Sequence, residues 1–323
     1  MKQVKRENYI NVKSWMDLGD CNYEHDHADD SIPDEGVVYC NIEHIPDFFR
    51  KCNDTENKYV VISAFSDYGL AYQEQHPVAK DMLRWIPFVE NHILEQGYNP
   101  LVISPRCDPD NCVLEDMYSI KCYSFTRATI PSIPDNVVKW FLVNPLLLDD
   151  RIQGIPIGIG KDASDDVDNA TKHSFEDKKN ILYINWQNYT VERQQVKQYF
   201  QAANFPWITV VEEAKDFKEY LNELSEHVYC LCPEGNGVDT YRILECIYLG
   251  VVPIVLNSPT MRYLSDLPIL VVNSLADIVL DNLKSKYDEI IKPKMENLDV
   301  ADLSYWKNEI ESARKLTQQT ESI

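Results

Sequence analysis

The sequence predicts an α/β protein with parallel sheets, divided into two domains. Strand-like and helix-like segments alternate along the chain, which is the pattern of repeated strand–helix–strand units. Several strand segments are continuous apolar runs, such as YVVISAF at 59–65 and VVPIVL at 251–256, as expected of parallel strands buried on both faces. The chain has 323 residues, of which 44% are hydrophobic, so it is long enough and apolar enough for two ordinary domains.

The first predicted domain spans residues 1–160. Residues 1–35 are polar and acidic, and we expect them to form a solvated segment. The pattern then predicts helices at 45–52 and 78–97, and strands at 37–42, 59–65, 101–104 and 137–143. Pro156, Gly158 and Gly160 mark the domain boundary, because proline and glycine interrupt regular structure.

The second predicted domain spans residues 161–323. An acidic, turn-rich linker at 161–179 leads into it. Helices are predicted at 191–203, with Thr190 as the N-cap, at 217–224, and from Asp239 or Thr240 to Gly250. Strands are predicted at 181–186, 207–212, 228–232 and 251–256. The tail is amphipathic at 275–290 and helical at 300–318, with apolar anchors at Leu303, Trp306, Ile310 and Leu316.

The segment between the strand at 228–232 and the next helix carries the clearest candidate site. Gly235, Asn236 and Gly237 form a turn there, and glycine lets a ligand approach the backbone closely. Arg242 lies in the first turn of the helix, where the helix dipole disfavours a cation and a bound anion would remove that penalty. The alternative is an exposed ion pair between Arg242 and Glu245, which contributes little to stability.

Two other predicted strands end in polar residues, at the edge of the sheet where ligands bind in open α/β folds. Arg193 lies in the first turn of the helix at 191–203 and is a second candidate for binding an anion, with Asn188 in the preceding turn. Asp67 follows the strand at 59–65. The alternatives are an exposed, solubilising arginine and an ordinary turn or capping aspartate.

A resemblance to a known family rests on two consecutive stretches. PEGNGVDTYRILECIYLGVVPIV at 233–255 and SPTMRYLSDLPILVV at 258–272 resemble the donor-binding segment of exostosin-type glycosyltransferases. In that family a proline, a Gly-Asn-Gly turn, an acidic residue, an arginine and a glutamate recur in this order, followed by an apolar helix and strand. WFLVNPLLLDDRIQGIPIGIG at 140–160 resembles a segment before the domain linker of related proteins more loosely.

The resemblance implies a GT-B fold, in which two Rossmann-like domains face a cleft and a final helix can cross back to the first domain. It also implies an inverting transfer from a nucleoside diphosphate sugar, a UDP-sugar first and a GDP-sugar second, to a glycan hydroxyl. Arg242 would hold the diphosphate and Glu245 the ribose or nucleoside side. The turn at Gly235, Asn236 and Gly237, together with Asp239 and Thr240, would border the donor.

The catalytic base must be a carboxylate or histidine near the acceptor hydroxyl. Asp67 is the first candidate, because it ends a strand of the opposite predicted domain and would face the cleft. Glu234 is the second, because it adjoins the glycine turn. No metal or cofactor is required if Arg242, the nearby amides and Arg193 stabilise the leaving diphosphate.

Three alternatives compete with this interpretation. A metal-dependent GT-A transferase would use an Asp-x-Asp triplet, and such triplets occur at 108–110 and 166–168. A retaining GT-B enzyme would carry two glutamates eight positions apart, but the eighth residue after Glu234 is Arg242. A nucleotide- or glycan-binding module would keep the fold without the base.

The composition excludes several partners. The net charge is -21, with 52 acidic and 31 basic residues, which disfavours nucleic acids and anionic membrane surfaces. We expect a cytoplasmic protein, because no secretory signal or membrane-spanning run is evident and the nine cysteines fit reduced thiols. Neither the cysteines at 107, 112 and 122 nor the histidines at 25 and 27 predict a metal site, and Cys230, Cys232 and Cys246 fit buried apolar positions.

Overall fold

The computed structural model describes residues 3–23, 32–64, 69–72, 126–130, 132–145, 149–186, 191–213, 215–235 and 237–318. Their strands form two five-stranded parallel sheets and one two-stranded parallel pair. The predicted α/β class is therefore confirmed. The strands are β1 (Cys21–Tyr23), β2 (Gly36–Cys40), β3 (Tyr59–Ser63), β4 (Gly69–Tyr72), β5 (Thr126–Ile130), β6 (Val137–Leu142), β7 (Ile152–Gly154), β8 (Asn180–Ile184), β9 (Ile208–Val210), β10 (His227–Leu231), β11 (Val252–Leu256) and β12 (Leu270–Val272).

Helices cover both sheets. Short 3-10 or π turns separate several of them, for example at Ile42–His44 and Tyr287–Ile291. The α-helices of the described residues are α1 (Val12–Met16), α2 (Ile45–Cys52), α3 (Ser164–Asn169), α4 (Val191–Ala203), α5 (Phe217–Ser225), α6 (Tyr241–Tyr248), α7 (Pro259–Tyr263), α8 (Leu280–Lys286), α9 (Lys292–Glu296) and α10 (Leu303–Thr317).

The first sheet has the strand order β1-β2-β3-β6-β7, so β3 is its centre and all five residues of β3 are buried. One face packs against α2, where Phe49 meets Trp140 of β6 edge to face at 5.0 Å between ring centroids. The opposite face belongs to a second apolar core that continues into the second sheet.

The second sheet has the order β12-β11-β10-β8-β9 and lies later in the chain. Its central strand, β10, is buried along its whole length. The helix after β10 ends where Gly250 takes a φ of 68°, a left-handed conformation that glycine adopts without strain. β11 follows at once, so β10, α6 and β11 form a strand–helix–strand unit with parallel strands.

The last helix returns to the first sheet. α10 packs on β2, β3 and β6, although the chain has already completed the second sheet. Trp306 of α10 lies edge-on to Trp15 and Phe141, with centroid distances of 5.8 and 6.5 Å. An ion pair of 2.8 Å joins Arg314 to Asp20.

The carboxyl ends of the two sheets meet. After β6, Asn144 adopts a φ of 53°, and its Oδ1 accepts a hydrogen bond of 2.7 Å from the Asp239 amide, which lies between β10 and α6. The hydroxyl of Thr260, after β11, donates to the Pro145 carbonyl at 3.1 Å. The Ile157 amide donates to Asp239 Oδ2 at 2.6 Å. Ligand-binding edges of two parallel sheets are thereby brought together.

The observed elements differ from the predicted ones in three places. Residues 1–35 do not all form a solvated segment, because Trp15 is fully buried and donates its indole N–H to the Pro156 carbonyl. The expected linker at 161–179 contains α3, whose first turn carries two acidic residues that suit the helix dipole. Leu316, predicted as an anchor, is 45% exposed. The elements predicted at 78–97 and 101–104 lie outside the described residues, and the domain boundary at 160/161 stays a prediction.

Candidate functional site

The candidate site lies where β10 ends and α6 begins, in the middle of the second sheet. Thr240 is the N-cap residue of α6 by its backbone, with φ -129° and ψ 152°. Within the described residues its side chain makes no capping hydrogen bond to the helix. The neighbouring Asp239 carboxylate is directed to the Ile157 amide. Among the described residues, the N-cap side chain thus leaves the first-turn amides of α6 without its capping bond, and helix N-termini of this kind favour a bound anion.

Arg242 lies in this first turn and is half-buried. Its Nε donates to the Tyr220 hydroxyl at 3.1 Å, and its guanidinium carbon lies 5.5 Å from the centroid of the Tyr220 ring. In the part of the chain that the structure describes, no carboxylate lies within ion-pair distance of the guanidinium. A half-buried guanidinium with no carboxylate in direct contact still has N–H donors that an anionic ligand can use.

Glu245 is buried, not part of an exposed helix face. Its Oε2 accepts a hydrogen bond of 2.9 Å from the Tyr220 hydroxyl. Burial raises the pKa of Glu245, whereas the charge of Arg242 and the hydrogen bond from Tyr220 oppose that rise. Arg242 and Glu245 therefore meet through one phenol. The simple exposed ion pair that sequence reasoning offered as an alternative is not what the structure shows.

Tyr220 is the site residue that sequence reasoning missed. It lies on α5 and is buried together with Leu221 and Leu224 on the inner face of that helix. In the sequence it therefore looks like any other apolar-face residue. Only the packing of α5 beside α6 brings its hydroxyl to Arg242 and Glu245.

Arg193 holds the glycine turn. Its Nε donates to the Glu234 carbonyl at 2.7 Å and its Nη2 to the Pro233 carbonyl at 3.4 Å. A Cβ atom at Gly235 would lie 2.9 Å from Arg193 Nη2, so a larger residue at this position would make the arginine side chain shift. The Gly235 amide donates to the Gly237 carbonyl at 2.9 Å. Arg193 thus shapes the turn that borders the site.

The structure gathers most of the predicted site residues around this turn. Asp67, Asn188 and Asn236 lie outside the described residues, so their positions stay predictions. The other predicted site residues lie between the end of β10 and the first two turns of α6, or contact that segment. They are Arg193, Glu234, Gly235, Gly237, Asp239, Thr240, Arg242 and Glu245.

The aspartates considered for a metal-dependent transferase are placed differently. Asp166 and Asp168 lie on α3, not after a strand. Asp166 pairs with Lys218 at 3.6 Å, and Asp168 pairs with Lys172 at the same distance. Asp108 and Asp110 lie outside the described residues.

Two strands of the first sheet end at polar residues whose side-chain oxygen atoms are buried. Asn41 directly follows β2, and its Oδ1 is a buried acceptor with no hydrogen-bond donor among the described residues. Ser63, at the end of β3, is already engaged, because it donates to the Cys40 carbonyl at 2.7 Å and accepts from the Trp140 indole at 3.0 Å. Of the two residues, Asn41 therefore has the acceptor that the described residues leave unsatisfied.

A separate cavity of about 490 Å³ opens at the edge of the first sheet, between β7 and α7. Its charged lining includes Lys139, Asp150 and Arg262. None of the predicted site residues lines it. The cavity is therefore distinct from the site at α6.

Comparisons with known proteins do not assign this chain to a family. A scan against models of protein families and a search of curated proteins both found no match. A solved structure described as the glycotransferase of kitacinnamycin is similar to this chain at 14% identity and a TM-score of 0.33, and the match covers 92% of this chain and 76% of that chain. Similarity at this level assigns neither a fold nor an activity. Among the helices of the described residues, none is long and apolar enough to cross a membrane.

Proposed function

We propose that this protein is a glycosyltransferase of GT-B type, which transfers a sugar from a nucleoside diphosphate sugar to a glycan hydroxyl with inversion. UDP-sugars are the first donor class and GDP-sugars the second, as the resemblance of residues 233–272 implies. The observation that carries the proposal is Arg242. Among the described residues its guanidinium has no carboxylate within ion-pair distance. Arg242 lies in the first turn of α6, whose N-cap residue Thr240 makes no side-chain capping bond, at the carboxyl edge of a parallel sheet.

The electrostatics of α6 favour a diphosphate at this position. Peptide N–H groups at the start of a helix carry partial positive charge, and an arginine in the first turn adds a full charge. A phosphate accepts paired hydrogen bonds from a guanidinium group. These bonds compensate for the partial removal of the Arg242 guanidinium from water. The glycine turn before α6 allows the backbone to approach the ligand closely.

In the proposed reaction the acceptor oxygen attacks the anomeric carbon as the bond to the diphosphate oxygen breaks. Negative charge develops on the leaving diphosphate, where Arg242 and the amides at the start of α6 stabilise it. Because these groups supply the positive charge, we propose a metal-independent transfer. The acceptor proton passes to Asp67 or, as the second candidate, to Glu234.

Glu245 requires a role of its own. The family resemblance assigns it to the ribose or nucleoside side of the donor. Its hydrogen bond to Tyr220 supports a positioning role instead, since Tyr220 also accepts from Arg242. In this proposal Glu245 orients Tyr220, and Tyr220 orients the guanidinium towards the donor.

The first test is thermal unfolding with UDP, GDP, CDP and ADP, each with and without EDTA. A nucleotide at 100 times its dissociation constant adds about 2.7 kcal/mol to the free energy of unfolding. We expect one nucleotide to stabilise the protein in EDTA, and this effect to vanish in Arg242→Ala. Arg50→Ala is the matched control, because Arg50 is an exposed arginine on α2 of the first sheet.

The proposed donor site is wrong if a nucleotide stabilises Arg242→Ala as much as the unmodified protein, or if no nucleotide stabilises the protein at all.

Transfer assays then separate catalysis from binding. Asp67→Asn and Glu234→Gln should bind nucleotide normally, and the variant of the true base should lose turnover. Nucleotide binding without transfer to any acceptor would favour a binding module, and loss of transfer in EDTA would favour a metal-dependent enzyme. The anomeric configuration of the product tests inversion.

A further inference from the structure

Three thiols meet in the core behind the glycine turn. Cys230 and Cys232 are two positions apart at the end of β10, so their side chains share one face of the sheet. Cys246 projects from α6 onto that face. The three sulfur atoms lie within 4.8 Å of one another, and the Sγ atoms of Cys232 and Cys246 are 3.9 Å apart. All three residues are free thiols and are buried, with exposed fractions of 0%, 3% and 0%.

The sulfur separations match those of a metal–thiolate site. A metal ion held at about 2.3 Å from three coplanar sulfurs separates them by about 4.0 Å. The Sγ atoms of Cys232 and Cys246 are 3.9 Å apart, close to this value, and all three sulfurs lie within 4.8 Å of one another. Thiolates select soft ions, of which Cu(I) and Zn(II) are the common biological examples.

Weak hydrogen bonds are the contacts that a bound metal ion would replace. The Cys230 thiol donates to the Leu231 carbonyl at 3.6 Å, and the Cys232 thiol donates to the Cys230 carbonyl at 3.5 Å. Thiol groups are weak hydrogen-bond donors, so their replacement by metal–sulfur bonds sacrifices little.

We propose that Cys230, Cys232 and Cys246 form a binding site for one thiophilic metal ion of the Cu(I) or Zn(II) class. Binding replaces three S–H bonds by three metal–sulfur bonds and releases three protons. For a divalent ion the resulting site carries one negative charge. The metal joins the end of β10 to α6 and acts as a structural support behind the turn that begins at Pro233.

This site is independent of nucleotide binding. Its ligands are closed to solvent, so the ion is acquired while the chain folds, because ligand geometry of this kind does not exist in the unfolded chain. The proposal therefore concerns stability and metal content. It stands or falls without reference to sugar transfer.

The test is to produce the full chain with supplemented zinc, or to refold it anaerobically with Zn²⁺, Cu⁺ or the probe Cd²⁺. After desalting, metal content per chain is measured by mass spectrometry, and X-ray absorption counts the sulfur neighbours. We expect about one ion per chain with three sulfur neighbours at about 2.3 Å. The Cd²⁺ form should show near-ultraviolet sulfur-to-metal charge transfer.

Cys246→Ala should lose the bound ion, whereas Cys52→Ala should keep it. Cys52 is the matched control, since it is a buried free thiol on α2 of the first sheet. If Cys246→Ala does not fold, Cys232→Ser and the sulfur count on the unmodified protein decide the question. The proposal is overturned if the protein holds much less than one ion per chain or if the ion has fewer than three sulfur neighbours. It is also overturned if Cys246→Ala keeps as much metal as the unmodified protein, or if a Cys232–Cys246 disulfide forms in place of the metal site.

Discussion

Replacing Tyr220 by phenylalanine removes one hydroxyl and two hydrogen bonds. That hydroxyl donates to Glu245 Oε2 at 2.9 Å and accepts from Arg242 Nε at 3.1 Å. The ring remains, so Tyr220→Phe keeps the packing of α5 against α6. The substitution leaves a buried carboxylate without its donor and a guanidinium without its positioning contact.

The expected loss of stability follows from these two contacts. A hydrogen bond to a charged group contributes about 1.5–3 kcal/mol, and an unsatisfied buried group costs about 1–3 kcal/mol. The lost hydrogen bond and the unsatisfied group are two ways of counting the same contact, so the two ranges are not added. We expect the free energy of unfolding to fall by about 3 kcal/mol. At about 2–4 °C per kcal/mol for a unit of 150–250 residues, the melting temperature should drop by about 6–12 °C.

The loss should depend on pH. The pKa of Glu245 is raised above its ordinary value of 4.5, mainly by burial. A carboxyl of this kind stabilises the folded state below its unfolded pKa, and that contribution is lost as the pH rises through the folded pKa. Loss of the Tyr220 hydrogen bond raises the pKa further. The loss of unfolding free energy caused by Tyr220→Phe should therefore be largest above the folded-state pKa of Glu245. It should shrink as the pH falls towards 4.5.

Urea unfolding followed by fluorescence and circular dichroism, from pH 4 to pH 8 at roughly unit intervals, measures this deficit. Tyr199→Phe is the matched control, because Tyr199 is 47% exposed on α4 and should lose less than about 0.5 kcal/mol. Equal stability of Tyr220→Phe and the unmodified protein, or a deficit that does not change with pH, would refute the assignment of Glu245 to this hydrogen bond.

Three further substitutions test the fold around the site by urea unfolding. Gly158→Ala should lower the free energy of unfolding by about 3 kcal/mol or more, since Gly158 has φ +99° and a Cβ there would lie 2.6 Å from the Asn11 backbone. Gly160→Ala is the control and should be neutral, because its Cβ would have its nearest contact at 3.6 Å. Equal effects of the two substitutions would contradict this reasoning. Asp239→Ala should cost about 2 kcal/mol because it strands the Ile157 amide, and Asp239→Asn should recover most of that loss; no recovery would count against the hydrogen bond. Trp306→Ala should cost about 3–5 kcal/mol, and a loss below about 1 kcal/mol would show that α10 does not anchor on the first sheet.

Much of the fold could be predicted from local patterns. The helix at 45–52 and the strand at 137–143 agree with α2 and β6 to within a residue, because apolar periodicity and nearby prolines indicate local structure directly. The burial of Trp15 could not be predicted from the surrounding sequence, since its partners Pro156 and Trp306 lie in distant parts of the chain.

The candidate site could be predicted in part. The position of Arg242 after a glycine turn indicated an anion site, because helix dipoles and glycine conformations are local properties. The contact of Arg242 and Glu245 with Tyr220 could not be predicted, because it depends on how α5 packs beside α6. The same holds for Asn144, whose contact with the Asp239 amide joins two sheets that are distant in sequence.

The return of α10 to the first sheet has a consequence for protein synthesis. The sheet face that carries Val37, Ile62 and Phe141 shares its core with Trp306, yet the ribosome makes α10 after all the described strands of both sheets. A nascent chain must hold this apolar face without its cover until α10 has been synthesised. Chains that stall before residue 303 should therefore bind chaperones or aggregate, and the docking of α10 should be the step that completes the first sheet.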